Sequence, residues 1–218
     1  MDEARLREEI CRVGASLFAR GYAHATAGNI SARLAEGYLI TPTDACLGTL
    51  DPVAIAKVDA AGNSIAGERP SKTLALHRRI YEADASARCV IHTHATHLVA
   101  ASIAGAWHPD DLVPPLTAYY VMKVGHTPLI PYHRPGDAKV ADLVAAAMAR
   151  FAARGTPLRA VMLERLGPNV WHETPAAAMA VLEELEETAR LWLLGERKAA
   201  PLDEMRIDEL RRAFGARW

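Results

Sequence analysis

The chain has 218 residues, 50% hydrophobic and 23% charged, the balance of an ordinary globular protein long enough to bury a full core without disulfides. Its 25 lysines and arginines nearly cancel 26 aspartates and glutamates, and no basic run stands out, so no nucleic-acid footprint is expected. No apolar stretch approaches a membrane span and residues 1–5 lack the layout of an export signal. A cytoplasmic address, no membrane partner and one domain over residues 1–218 are therefore expected.

Residues 2–20 place Leu6, Ile10, Val13 and Leu17 at helical spacing with charges between them, which predicts an amphipathic helix stopped at Gly21. Cys11, Cys46 and Cys89 are odd in number and widely spaced, so they read as reduced, buried small hydrophobes. The small-residue run over 26–33 reads as a turn into a strand, whose backbone amides also suit a closely approaching anion. A short strand over 38–41 ends in the turn Pro42-Thr43-Asp44, and another covers 55–59 before a turn-rich stretch at 61–64. Pro70-Ser71-Lys72-Thr73 then precedes a helical segment bearing Leu74, His77 and Tyr81. Ser71 fits an N-cap, the first-turn amides of such a helix suit a phosphate, and Lys72 adds a positive charge that a cap does not need.

The stretch 88–97 is the most informative. An apolar, β-branched run delivers His92 and His94, and alternate residues of an extended strand share a face. Two neutral imidazoles side by side suit a metal, although the same pattern serves for polar residues on a half-exposed strand. Beyond it come an aromatic, apolar run over 114–125 and a strand over 127–131. The turn His133-Arg134-Pro135-Gly136-Asp137 launches a helix carrying Val140, Leu143, Val144, Met148 and Phe151. Strands over 159–163 and 169–172 flank Gly167-Pro168. A long helix follows from Thr174, and a last one covers 203–214. Several strand connections are too short for a helical crossover, which predicts a mixed or antiparallel sheet flanked by helices.

Ala27-Gly28-Asn29-Ile30-Ser31, Leu39-Ile40-Thr41-Pro42-Thr43, Pro70-Ser71 and His92-Thr93-His94-Ala95-Thr96-His97, in this order and spacing, resemble the class II aldolase/adducin family over nearly the whole chain. Pro70-Ser71-Lys72 and the stretches 116–125 and 128–137 are most similar to its members that decarboxylate 3-oxo-tetronate 4-phosphates. The resemblance implies an α/β/α sandwich around a mostly antiparallel sheet, and a homotetramer with active sites between subunits. It implies a divalent metal, most often zinc, on His92 and His94, and a phosphate cradle of Asn29, Thr43 and Ser71 with Lys72 adding charge. Tyr119 falls where relatives offer a catalytic tyrosine across the subunit boundary, with Tyr120 as the competing assignment.

Two positions depart from that pattern. Where relatives carry an acid/base glutamate after the Pro-Ser-x triplet, this chain has Thr73, and Arg165-Leu166-Gly167 replaces the Asn-His-Gly that supplies a third metal histidine. A threonine hydroxyl is no base near neutral pH and leucine ligates nothing. His97, His172 or Glu164 completing the shell, a metal held loosely by two histidines and waters, and a site lost in a repurposed paralogue all remain open. The implied chemistry is loss of CO2 from a phosphorylated 3-oxo acid to leave dihydroxyacetone phosphate, with Tyr119, Lys72 and Thr73 at the candidate catalytic positions. A sugar-phosphate aldolase and a non-catalytic adducin-like scaffold are the rival readings.

Overall fold

The structure is a computed structural model that describes residues 2–218. In chain order it contains α1 (Glu3–Ala19), β1 (Asn29–Arg33), β2 (Tyr38–Ile40), a 3-10 turn (Leu47–Thr49), β3 (Ala56–Val58), β4 (Ser64–Ala66), α2 (Leu74–Ala83) and β5 (Cys89–His92). Then follow α3 (Thr96–Ala104), α4 (Ala118–Lys123), β6 (Leu129–Ile130), α5 (Lys139–Ala153), β7 (Ala160–Leu163), β8 (Gly167–His172), α6 (Pro175–Leu194) and α7 (Glu204–Phe214). The strands form one sheet in the order β4-β3-β2-β1-β5-β8-β7-β6, antiparallel throughout except for β6 beside β7.

Alternation along the strands explains why the sheet is covered on both sides. Cys89 and Ile91 of β5, Ala160 and Met162 of β7 and Val170 of β8 face one hydrophobic cluster, completed by α1, α3 and α6. Val90, Val161, Leu163 and Trp171, one residue out of phase, face a second cluster built by α2 and α5. The result is an α/β/α sandwich with a mostly antiparallel sheet. Helix ends follow local chemistry: Asp2, Thr174 and Asp203 each accept a first-turn N–H, and Pro175 opens α6.

Several local expectations need correction. β5 stops at His92, so His94 lies beyond the strand and strand alternation does not place it. Helix α3 begins two residues later. It carries no amphipathic stripe because its apolar residues surround it, as suits a helix wedged between α6 and the sheet. Helix α4 is only six residues long, and β4 is a fully exposed edge strand with no apolar alternation, so neither has a clear sequence signature. Ser71 does not cap α2. Thr73 occupies the cap position without a side-chain cap bond, and the Ser71 hydroxyl instead lies 3.0 Å from that of Thr73. Among the described residues no helix is long and apolar enough to cross a membrane.

Candidate active site

The pairing of β1 and β8 on either side of β5 creates the centre of the site. Asn29 is the register partner of His92 across β1–β5, and Asn169 is its partner across β5–β8. Directly opposed residues in a sheet share a face, so Asn29, His92 and Asn169 form one row on the α2/α5 side, at the end of the sheet. All three are buried. Asn29 Oδ1 and both terminal atoms of Asn169 have no protein partner, which buried amides rarely tolerate unless water or a ligand satisfies them.

Two glycines let the neighbouring chains close on His92-Thr93-His94. A Cβ on Gly28, at φ +91°, would lie 2.9 Å from the His92 carbonyl oxygen, and one on Gly167, at φ +152°, would lie 1.8 Å from that of Thr93. Only glycine fits either place. Between them the Pro168 carbonyl accepts from His92 Nδ1 at 2.9 Å. A carbonyl cannot donate, so Nδ1 carries the proton and the lone pair sits on Nε2, the arrangement expected of a metal-ligating histidine. Burial, with His94 adding to it, pushes His92 down to about 4. Burial and His24 also lower His94, so both imidazoles are neutral near pH 7. The His92 and His94 ring centroids are 5.2 Å apart at 70°.

This corner opens into a cleft of about 480 Å³ whose lining includes Asn29, Thr43, Ser71, Lys72, Thr73, His92 and His94. The expected phosphate residues and the imidazole pair therefore share one cavity. Thr43 and Ser71 are pinned by their own backbones: Thr43 N donates to Arg69 at 2.9 Å and Ser71 N to Thr41 at 3.2 Å. Their side chains face the cleft together with first-turn residues Ala75 and Leu76 of α2, where the helix dipole favours an anion. Asp44 also lines the cleft, in a left-handed turn at φ 59° that aspartate tolerates. Below this end Ser31 Oγ lies 2.8 Å from both His77 Nδ1 and the Tyr81 hydroxyl, a buried chain that fixes α2 to β1.

Class II aldolases depend on a divalent metal. His92 and His94 fit two coordination positions, but among the described residues no group of three His, Cys, Asp or Glu is gathered to hold an ion. Leu166 lines the cleft and contributes only apolar surface. His97 is turned to Glu186, whose carboxylate takes both its N–H and its Nδ1. His172 sits at the far end of β8 from Asn169's neighbour Pro168 and lines a different cavity beside Arg159. Glu164 reaches the cleft, yet one of its oxygens already accepts from Tyr132 N at 2.9 Å. Thr73 stands in the cleft with its hydroxyl against Ser71.

Tyr119 projects from α4, is 59% exposed and does not line this cleft. Tyr120 is fully buried, with its hydroxyl toward Thr127, so of the two only Tyr119 is exposed. Asn169 and Arg134, both in the cleft lining, went unrecognised in the sequence. Asn169 needed the β5–β8 register, which no local pattern reveals. The signal for Arg134 was present in the turn His133-Arg134-Pro135-Gly136-Asp137.

Comparison with known proteins agrees with the motif order. The model of the class II aldolase and adducin N-terminal domain matches residues 8–193. The chain is 58% identical to the 3-oxo-tetronate 4-phosphate decarboxylase of Cupriavidus necator, over 99% of each chain. It is 40% identical to the protein of the same name from Escherichia coli K12, over 96% of each. The crystal structure of YgbL from Klebsiella pneumoniae superposes with a TM-score of 0.88 at 40% identity, covering 97% of this chain and 100% of that one. Matched by that family model over most of its length and by these relatives over nearly all of it, the chain belongs to the class II aldolase and adducin family.

Proposed function

We propose that this protein is a carbon–carbon lyase that decarboxylates a 3-oxo-tetronate 4-phosphate to dihydroxyacetone phosphate and CO2. The observation that carries the reading is the charge layout of the cleft. Lys72 and Arg134 both line it and neither side-chain cation has an ion-pair or hydrogen-bond partner among the described residues, whereas of the three carboxylates that share the lining with them, Asp44, Asp137 and Glu164, Asp137 faces His133 and Glu164 accepts from Tyr132 N. Lys72 adjoins the turn after β2 and the start of α2, whereas Arg134 follows β6, with β1, β5, β8 and β7 between. In the strand order the elements that carry the two cations therefore fall on opposite sides of β5, which carries His92. Such a cleft suits a substrate anionic at both ends, a phosphate and a carboxylate, better than a neutral-tailed sugar phosphate. The 58% identical decarboxylase supports the same choice.

Asn29, Thr43, Ser71 and Lys72 would hold the phosphate, and Arg134 the carboxylate end. His92 and His94 would hold a divalent metal, zinc by family resemblance, which supplies a Lewis acid for the ketone oxygen. When the C1–C2 bond breaks, its electron pair stays on the C2 side and C1 leaves as CO2. No base is needed for that step, so Thr73 is compatible with decarboxylation, whereas retro-aldol cleavage must first remove a hydroxyl proton. C2 then takes a proton, for which Tyr119 of a neighbouring subunit is the candidate donor. That role implies a homo-oligomer, a tetramer by resemblance, and a cytoplasmic sugar-acid pathway fits the substrate.

The test is to offer purified protein, with added metal, the 3-oxo acid phosphate and a ketose 1-phosphate in parallel. Release of CO2 with one dihydroxyacetone phosphate, lost about a hundredfold or more in His92→Ala, is expected. Aldehyde release from the ketose instead would make the chain an aldolase. No turnover and no protection from heat by inorganic phosphate would leave a scaffold.

A further inference from the structure

We propose that Asn169 supplies the third protein donor beside His92 and His94, through its amide oxygen, in the position that Leu166 does not fill. This rests on the metal reading above. Asn169 is wholly inaccessible, yet it lines the cleft and neither Oδ1 nor Nδ2 has a partner. It is the direct register partner of His92 on the same face of the sheet, and opposed side chains in that relation have Cβ atoms about 5 Å apart. Leaving a buried amide unpaired is destabilising, so its retention beside a ligand-ready imidazole points to a group that it meets only when the site is loaded.

Of the candidates the sequence offered, His97 is held by Glu186, one Glu164 oxygen accepts from Tyr132 N, and His172 lies at the other end of its strand; His24, whose ring centroid is 6.1 Å from that of His94, is the remaining imidazole nearby. Asn29 flanks His92 on the opposite side, next to the phosphate turn. The amide of Asn169 also suits the role chemically. A carbonyl-type oxygen is a neutral, hard donor, weaker than imidazole for zinc and well matched to manganese or magnesium. The site should therefore bind metal more weakly, and favour zinc over manganese less, than one built from three histidines.

Chelator competition with Zn²⁺ and Mn²⁺, together with apo-protein melting, would be measured for the native protein and for His92→Ala, Asn29→Ala, Asn169→Ala and Asn169→Asp. Asn169→Ala is expected to weaken metal binding by about tenfold or more, and Asn169→Asp, which keeps the oxygen and adds charge, to tighten it. Apo Asn169→Ala should melt at or above the native temperature, since it removes an unsatisfied buried group. Asn29→Ala should weaken inorganic phosphate binding and leave metal affinity unchanged. Native metal affinity in Asn169→Ala, alongside a large loss in His92→Ala, would overturn the assignment while the metal reading stands. A lower apo melting temperature with unchanged metal affinity would likewise overturn it, making Asn169 a structural residue. Native affinity in His92→Ala would sink the imidazole site and Asn169's role with it.

Discussion

The two ends of the cleft have been kept to different degrees. At the end proposed to hold the phosphate, Asn29, Thr43, Ser71 and Lys72 all line the cleft, and main-chain hydrogen bonds fix Thr43 and Ser71. At the imidazole end, His92 and His94 persist beside Thr73 and Leu166. The difference is informative because the framework around His92 is made of main chain. Gly28, Gly167 and the Pro168 carbonyl set its position and tautomer, and none of them needs a particular side chain at 73 or 166. Side chains in this corner can therefore change without moving the histidine, whereas at the other end the residues proposed to hold the phosphate also shape the turns that carry them.

The contrast is broken most directly by restoring the altered corner. The Thr73→Glu, Leu166→His double variant is expected to raise metal affinity and decarboxylation rate by about a thousandfold, because two inner groups are added and even outer-shell losses cost about 10–100-fold. Chelator titration and a CO2 assay measure both, and no gain would place the native chemistry elsewhere. Next in size is the framework itself. Gly167→Ala should cost roughly 3 kcal/mol and lower Tm by about 10 °C, since its methyl has no room beside Thr93. A melting curve unchanged from the native one would show that the strands do not clasp as described.

A smaller effect concerns the floor of the phosphate end. Burial, with His92 adding to it, pushes His77 down to about 3 from its ordinary 6.5. The folded state thus refuses a proton that the unfolded chain accepts below 6.5, so its stabilisation is complete above that pH and is lost on acidification. At pH 5 the loss is about 2 kcal/mol by linkage. Urea unfolding at pH 7 and 5 should show it, and His77→Gln should flatten the slope. Smallest is Arg165, whose backbone is left-handed at φ 60° between β7 and β8. Asn tolerates that region better, so Arg165→Asn should stabilise by about 0.5–1 kcal/mol, read as a small rise in Tm without change in metal affinity.

Much of this architecture was legible in the sequence, for identifiable reasons. Helices α1, α5 and α6 bury one stripe and so show their period, and the short strand connections exclude a regular parallel sheet. That Asn29, Thr43, Ser71 and Lys72 would share one cleft was legible because they sit in turns with restrictive local chemistry. His94 lies beside His92, but not by strand alternation: it comes after the strand has ended, in the turn into α3. Asn169 could not be found because its meaning lies in a pairing between β5 and β8, 77 positions apart by register, and in what its amide lacks. The Ser31–His77–Tyr81 chain was hidden for a similar reason, since His77 reads as one more position on the buried face of α2.

The clasp of Gly28 and Gly167 around His92-Thr93-His94 has a bearing on ancestry and engineering. A cofactor pocket braced this way can drift through partly disabled intermediates and be repaired later by one or two codon changes, because the fold never depended on the missing group. The same property makes this chain a ready starting point for laboratory evolution of new metal chemistry in a cleft braced by main chain.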